Sequence, residues 1–256
     1  MRVPPVNSAK AVAFPPVIME DSLLHAAMIP LPAGSFRMGG RSTDKFSSSV
    51  EFPLHEVTLN DPPAIGRTPV RLGEWRCFDP DYQAGKPDDW PVTGISFPQI
   101  SAYLHWLEEE TGLAFRLPSE AEWEYACRGG SEEIFPGGNQ ISPAEANYAY
   151  DEQGEWVDRS GMRPVASYPP NRWGLHDIVG TVSEWTSDLW HNHYRKAPED
   201  GSSWIQGGIP GRRVIRGGAW DQLPRVLRCS WRDWAPEEAR WDNLGFRLAL
   251  DLSPSA

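Results

Sequence analysis

The chain has 256 residues, 40% hydrophobic and 23% charged, enough for one large domain or two small ones around a real core. Its net charge of −11 speaks against nucleic acid or anionic lipid as a partner, since both are met by a basic face. The 25 prolines and 23 glycines imply many turns and long irregular connections, and three cysteines do not make a disulfide scaffold.

At the N-terminus, Met1–Ser8 carries no apolar core of signal-peptide type, and no later run is long enough to span a membrane, so a cytoplasmic protein is expected. Residues 1–25 read as an irregular arm, with Pro4, Pro5, Pro15 and Pro16 opposing regular structure. Residues 26–256 read as one domain, because no shift in composition marks a second. From Met28 the pattern turns strand-like, through Ile29–Gly39 and again at His55–Leu59 with alternating faces. A first helix is predicted from Ser96 as N-cap, with Pro98 in its first turn and Gln99 completing a capping box. Ile100, Tyr103, Leu104 and Leu107 share one face of it, and Gly112 stops it. Phe115–Leu117 is a short strand. A second helix starts at Ser119, with Glu122 closing another capping box, and ends at Gly129-Gly130. Between Gly130 and Gly211 the chain reads as loops, turns and short strands without a repeat. Val214 and Ile215 then lead into the Gly217-Gly218 turn, and Phe246 and Leu248 alternate as a closing strand. The intervening Asp221–Asp242 reads as surface, carrying Trp231, Trp234 and Trp241 as aromatics a loop has little reason to expose without a partner.

The run Phe115-Arg-Leu-Pro-Ser-Glu-Ala-Glu-Trp-Glu-Tyr-Ala-Cys-Arg-Gly-Gly130 closely resembles a signature of the formylglycine-generating-enzyme, or sulfatase-modifying-factor, family. So do Ile29–Gly39, Pro91–Ser96, Pro170–Trp185, Arg216–Gly218 and Asn243–Arg247, in the family's order. The resemblance implies an α+β, C-type-lectin-like fold of short twisted sheets, two main helices and long loops. That fold hosts both oxidases and pure ligand binders, so function has to be argued from the site.

Members that make formylglycine bind copper(I) through two nearby cysteines after the Gly-Gly turn, where soft thiolates suit that ion. Here Ala219–Arg228 holds no cysteine, so no copper is expected. Cys229 stands where some members carry a cysteine paired with the one matching Cys127. The resemblance therefore makes Cys127 and Cys229 spatial neighbours, either as a disulfide or as buried thiols, with the thiol form expected in a reducing cytosol. Cys77 reads as an ordinary core thiol. The segment Asp177–Glu184 resembles a family calcium site, which carries over to the Asp177 and Glu184 side chains and the Gly180 and Val182 carbonyls. Asn147 matches one ligand of a second family site, with Asp158 a further candidate. The plain alternative is that Asp177 and Glu184 merely hydrogen-bond a loop. His191 and His193 form a His-x-His pair without an evident third ligand and read as solvated surface residues.

The frame Arg213–Trp220, Pro224, Leu227-Arg228, Pro236 and Asn243–Arg247 is also similar to retroelement-diversified variable proteins of this fold. In those, positions between fixed residues project as a binding surface. On that reading Asp221, Gln222, Leu223, Val226, Trp231, Asp233, Trp234, Glu238 and Trp241 project. With Arg228 and Arg232 added, these are the expected contacts for an unknown protein or small-molecule ligand, Trp231, Arg232 and Trp234 foremost because aromatics and arginine dominate hot spots. The other reading of each tryptophan is core packing. As an enzyme, the chain would be a divergent metal-dependent oxidase or oxygenase working in the same cleft, like family branches that resemble pyoverdine-maturation and ergothioneine-type enzymes.

Overall fold

Residues 28–252 are described in a computed structural model of the chain, so the expected arm at 1–25 lies outside them. Among the described residues ten short strands and three α-helices form an α+β arrangement of two four-stranded sheets and one hairpin. The strands are β1 (Met28–Pro30), β2 (Gly34–Met38), β3 (His55–Leu59), β4 (Ala64–Gly66) and β5 (Phe115–Arg116). They continue with β6 (Ser183–Trp190), β7 (Ile209–Arg216), β8 (Arg232–Pro236), β9 (Leu244–Gly245) and β10 (Ala249–Leu250). A single-turn α1 (Leu72–Trp75) precedes the two main helices, α2 (Phe97–Thr111) and α3 (Glu120–Arg128).

One sheet runs β1-β4-β10-β5, the other β8-β7-β6-β9, and β2 pairs with β3. The last strands tie the two sheets together. β10 inserts between β4 and β5, while β9 lies parallel to β6 with Ser183 opposite Leu244. Phe246 and Leu248 do not form the single closing strand their alternation predicts. They lie between β9 and β10, buried in the main core, with their carbonyls accepting from Val70 and Gly66 at 2.9 and 2.8 Å.

Both main helices begin and end where cap chemistry places them. In α2 the Gln99 Oε1 accepts the Ser96 N–H at 3.1 Å, and Gly112 closes the helix at φ 71°. Ile100, Tyr103 and Leu107 then face the core, fully buried. Tyr103 stacks on Trp75 at 4.9 Å, and Phe246 meets both rings edge-on. In α3 the reciprocal box is complete, with Glu122 N–H donating to Ser119 Oγ at 3.0 Å and Ser119 N–H donating to Glu122 at 2.7 Å. Helix α3 differs from α2 in one respect that governs the rest of the molecule. All nine of its residues are buried, including Glu120, Glu122, Glu124 and Arg128. Carboxylates in such a place require charged partners, because an isolated buried charge costs far more than packing returns.

Candidate functional site

The segment after β7 turns sharply at Gly217 and Gly218, with φ of 92° and 66°. A Cβ on Gly217 would stand 3.0 Å from the Ile178 carbonyl and 3.1 Å from the Trp123 ring, so this crossing admits only glycine. From the turn the chain follows two courses, one into the protein and one along its surface.

The inward course carries residues expected outside. Arg228, 1% exposed, donates to both oxygens of Glu51 at 2.8 Å and to Asp44 at 2.9 Å, while Ser230 Oγ donates to Glu51 at 2.8 Å. Arg232, also 1% exposed, grips Glu120 through two bonds of 2.8 and 2.7 Å and donates to the Val50 and His191 carbonyls. The guanidinium lies over Trp190 and Tyr194 at 4.5 and 4.2 Å. Arg216 completes the set, reaching Glu120 at 3.0 Å and Glu124 at 2.5 Å. Arg228 and Arg232 are therefore not ligand contacts on an open face. The carboxylates of α3 and of the 3-10 turn Ser49–Glu51 recruit them, from more than a hundred residues away in sequence. The sequence signal for this was a helix with glutamates on several faces and no polar stripe.

Within this network the carboxylates of Asp44, Glu51, Glu120 and Glu124 meet the guanidinium groups of Arg128, Arg216, Arg228 and Arg232, four against four. Burial alone would lift the Glu124 pKa, but Arg128 and Arg216 hold it below the ordinary carboxylate value. Asp188 on β6 is a further buried carboxyl without an arginine in contact. It accepts from the Glu120 and Trp204 amides at 2.7 and 2.8 Å. Burial first, and then the neighbouring charge of Glu120, push its pKa up to about 7.

Cys127 and Cys229 lie in one buried cluster with Trp123, Tyr148 and Leu227, as free thiols near enough to share a hydrogen bond. Burial and the second sulfur raise the Cys127 pKa well above its ordinary value.

On the outward course, both Asp221 oxygens accept from the Asn243 amide at 3.0 Å, and Gln222 Oε1 accepts the Ala219 N–H at 2.9 Å. The Gln222 carbonyl takes the Ala149 N–H, which places the neighbouring Tyr150–Trp156 pair beside this turn, its rings 4.4 Å apart. Trp156 is 48% exposed and Trp241 44%. Trp241 stands two residues before Asn243 in the chain, and Trp156 is tied to the turn through its pairing with Tyr150, next to the Ala149–Gln222 bond. With Asp221, Gln222 and Asn243 they are termed the shelf. Trp156 escaped the sequence reading because its loop, unlike the C-terminal segment, carried no frame to single it out. Trp231 and Trp234 are only half-buried, and the Trp234 ring is covered by the Arg212 guanidinium at 3.8 Å. Asp233 is exposed and accepts the Trp234 N–H at 2.8 Å. These three belong to the edge strand β8 and its approach.

The expected calcium residues lie close together. Asp177, at φ 50°, is 5% exposed, and its Oδ1 has no hydrogen-bond partner, while its Oδ2 accepts from the Ala166 amide. Burial raises the Asp177 pKa. Glu184, fully buried, accepts from Arg247 at 2.7 and 2.8 Å and from the Trp123 indole at 2.7 Å, which leaves one lone pair on Oε1. Asn147, assigned to a separate site, abuts Gly180, its carbonyl accepting from Thr181 at 3.2 Å. Val182 is buried on the same loop. The orphaned Asp177 oxygen on a tight glycine loop is the feature that suits a hard cation. Glu184 is already paired with Arg247, and among the described residues no three His, Cys, Asp or Glu side chains gather as a metal cluster. Asp158 serves a turn, accepting from Ser160 N–H at 2.7 Å and pairing with Arg163. His191 is no solvated surface residue. It is buried and stacked on Trp204, whereas His193 is exposed.

No helix among the described residues is long and apolar enough to cross a membrane. The mouse formylglycine-generating enzyme is 35% identical over 229 residues, covering 82% of this chain but only 57% of its own length. The structure of PvdO from Pseudomonas aeruginosa superposes with a TM-score of 0.78 at 35% identity, covering 88% of this chain and 94% of that one. Treponema denticola variable protein 1 shares the fold, with a TM-score of 0.71 at 24% identity over 88% of this chain and 94% of that one. The sulfatase-modifying factor enzyme 1-like domain matches residues 16–252, and with these relatives it establishes that the chain belongs to the formylglycine-generating-enzyme (sulfatase-modifying-factor) family.

Proposed function

We propose that the protein binds a ligand through the shelf at Asp221, Gln222 and Asn243, rimmed by Trp156 and Trp241, without copper-cysteine chemistry. The observation that carries this reading is the pair of indoles left nearly half exposed beside hydrogen-bonding groups, on a frame whose thiols and arginines are turned inward. Large flat side chains beside polar groups are the usual anchors of recognition surfaces. The shelf keeps Asp221, Gln222 and Trp241 as contacts and adds Trp156. Trp231, Asp233 and Trp234 lie on or just before β8, at the edge of that sheet opposite β9, and are not part of the shelf. Calcium, held by Asp177 and Glu184 with the Gly180 and Val182 carbonyls and with Asn147 alongside, stiffens the loop beneath. Free buried thiols accord with a cytoplasmic setting.

Metal analysis of the purified protein, paired with a ligand-observed NMR screen, tests the reading. Expected are no stoichiometric copper or iron, a thermal shift with calcium that Asp177→Ala abolishes, and fragment hits that disappear in a Trp156→Ala/Trp241→Ala variant. One equivalent of copper or iron together with oxygen uptake would establish the oxidase alternative and end the binding proposal.

A further inference from the structure

A second concavity, sharing no residue with the shelf, opens where the chain leaves β6 and returns toward β7. It is an open concavity of about 790 Å³, lined by His191, His193, Arg195, Lys196, Trp204 and Ile205 among others, with no carboxylate in its wall. That volume lies in the range of small-molecule sites. In a chain of net charge −11 a wall with two full positive charges and no negative one stands apart. Among the described residues neither Arg195 nor Lys196 takes part in an ion pair, although every arginine of the buried network does.

The aromatic side of the cavity is built rather than incidental. The His191 and Trp204 rings lie parallel, 3.5 Å apart and within 3°. Both imidazole nitrogens face carbonyl oxygens, of Leu189 at 3.0 Å and Gln206 at 3.2 Å, so the ring cannot swing. Gly208 presses against it so closely that a side chain there would collide with Leu189 and His191. The Trp204 amide hangs on Asp188 at 2.8 Å, and the His191 carbonyl is held by Arg232 at 3.0 Å, which ties this wall to the charged interior. On the rim Lys196 holds φ at 70°, a conformation that costs a residue with a Cβ and that clusters at ligand clamps. Ile205 adds an apolar flank, 45% exposed.

We propose that this cavity binds a small anionic molecule bearing a planar aromatic group. The anion lies against Arg195, Lys196 and His193, and the ring lies against Trp204 and Ile205. Its carboxylate, sulfonate or phosphate supplies the negative charge that the wall lacks, and the fixed indole lowers the entropy lost on binding.

The test is titration of the full chain with 8-anilinonaphthalene-1-sulfonate, an anionic aromatic dye read by its own fluorescence, beside its neutral analogue N-phenyl-1-naphthylamine. Expected is saturable binding of one dye per chain, weakened at least tenfold in Arg195→Glu/Lys196→Glu and weakened by added salt. The neutral analogue binds at least tenfold more weakly, and Trp241→Ala binds the dye as wild type does. The double variant alters exposed positions, so an unchanged melting temperature confirms that it folds. Absence of one-to-one saturation, equal binding of the neutral dye, or full binding by the charge-reversed variant would each overturn the proposal. Loss of dye binding in Trp241→Ala would move the site to the shelf and overturn it as well.

Discussion

The interior around α3 and the shelf around Asp221 are made from the same kinds of residue, and they put them to opposite uses. Inside, Arg216 and Arg232 meet Glu120 and Glu124 with both partners almost fully out of water. Outside, Asp221 meets only the neutral amide of Asn243, and the nearby indoles of Trp156 and Trp241 stay exposed. The inner set pairs every guanidinium with a carboxylate, though the buried Arg216 Nε is left without a partner, and removing one member strands another in a low dielectric. The outer set is incomplete by itself, which leaves it free to act on something else. Residue type alone does not separate the two; whether the partner is already present in the chain does.

The sharpest way to break this contrast is to strip a partner from the interior. Arg216→Met leaves Glu120 and Glu124 short of a cation, and a loss of about 3–5 kcal/mol in urea unfolding is expected. A loss under about 1 kcal/mol, within the range of exposed pairs, would make the interior no more demanding than a surface pair.

The next effect is one of pH. The folded pKa of Asp188 is about 7, above the roughly 3.9 of an unfolded aspartate. Between those values the native state holds a proton that the unfolded chain has released. Its stabilising contribution is therefore full below the unfolded value and is lost as pH rises through about 7. Against Asp188→Asn, which cannot ionise, the wild type should lose on the order of a few kcal/mol in urea midpoints measured from about pH 4 to 8. Parallel profiles for the two proteins would show that Asp188 is already ionised.

A smaller change isolates local chemistry. Ser119→Ala removes the α3 cap and the 2.6 Å bond from Ser119 Oγ to the Gly201 carbonyl, and about 1–2 kcal/mol is expected in thermal or urea unfolding. The smallest effect belongs to the shelf. Trp241→Ala should leave stability within about 0.5 kcal/mol while removing the fragment signals of the wild type in NMR. A Trp241→Ala variant that unfolds would place that indole in the core and sink the comparison.

Caps and turns were legible in the sequence because their chemistry is local. Ser96 with Gln99, Ser119 with Glu122, and the stops at Gly112 and Gly129 need nothing beyond their own few residues. Strand β8 was not legible, because its inward residues include Arg232, which reverses the usual order of apolar inside and polar outside. Arg228 and Arg232 read as surface in the sequence for the same reason, since the glutamates that draw them inward lie far upstream. His191 was misplaced because its stacking partner, Trp204, sits in a loop without periodicity. The shelf was half visible. The glycine turn and Asn243 framed Asp221 and Trp241, whereas Trp156 comes to them only through the hydrogen bond between Ala149 and Gln222.

The placement of β9 and β10 sets an order on assembly. A nascent chain that has emerged only as far as Trp241 holds β4 and β5 with a gap between them where β10 belongs, and β6 with its flank open. Neither sheet is finished until β9 and β10 have taken their places. The domain therefore cannot be completed progressively from its first strand, and it depends on protection of those open strand edges until β9 and β10 have joined.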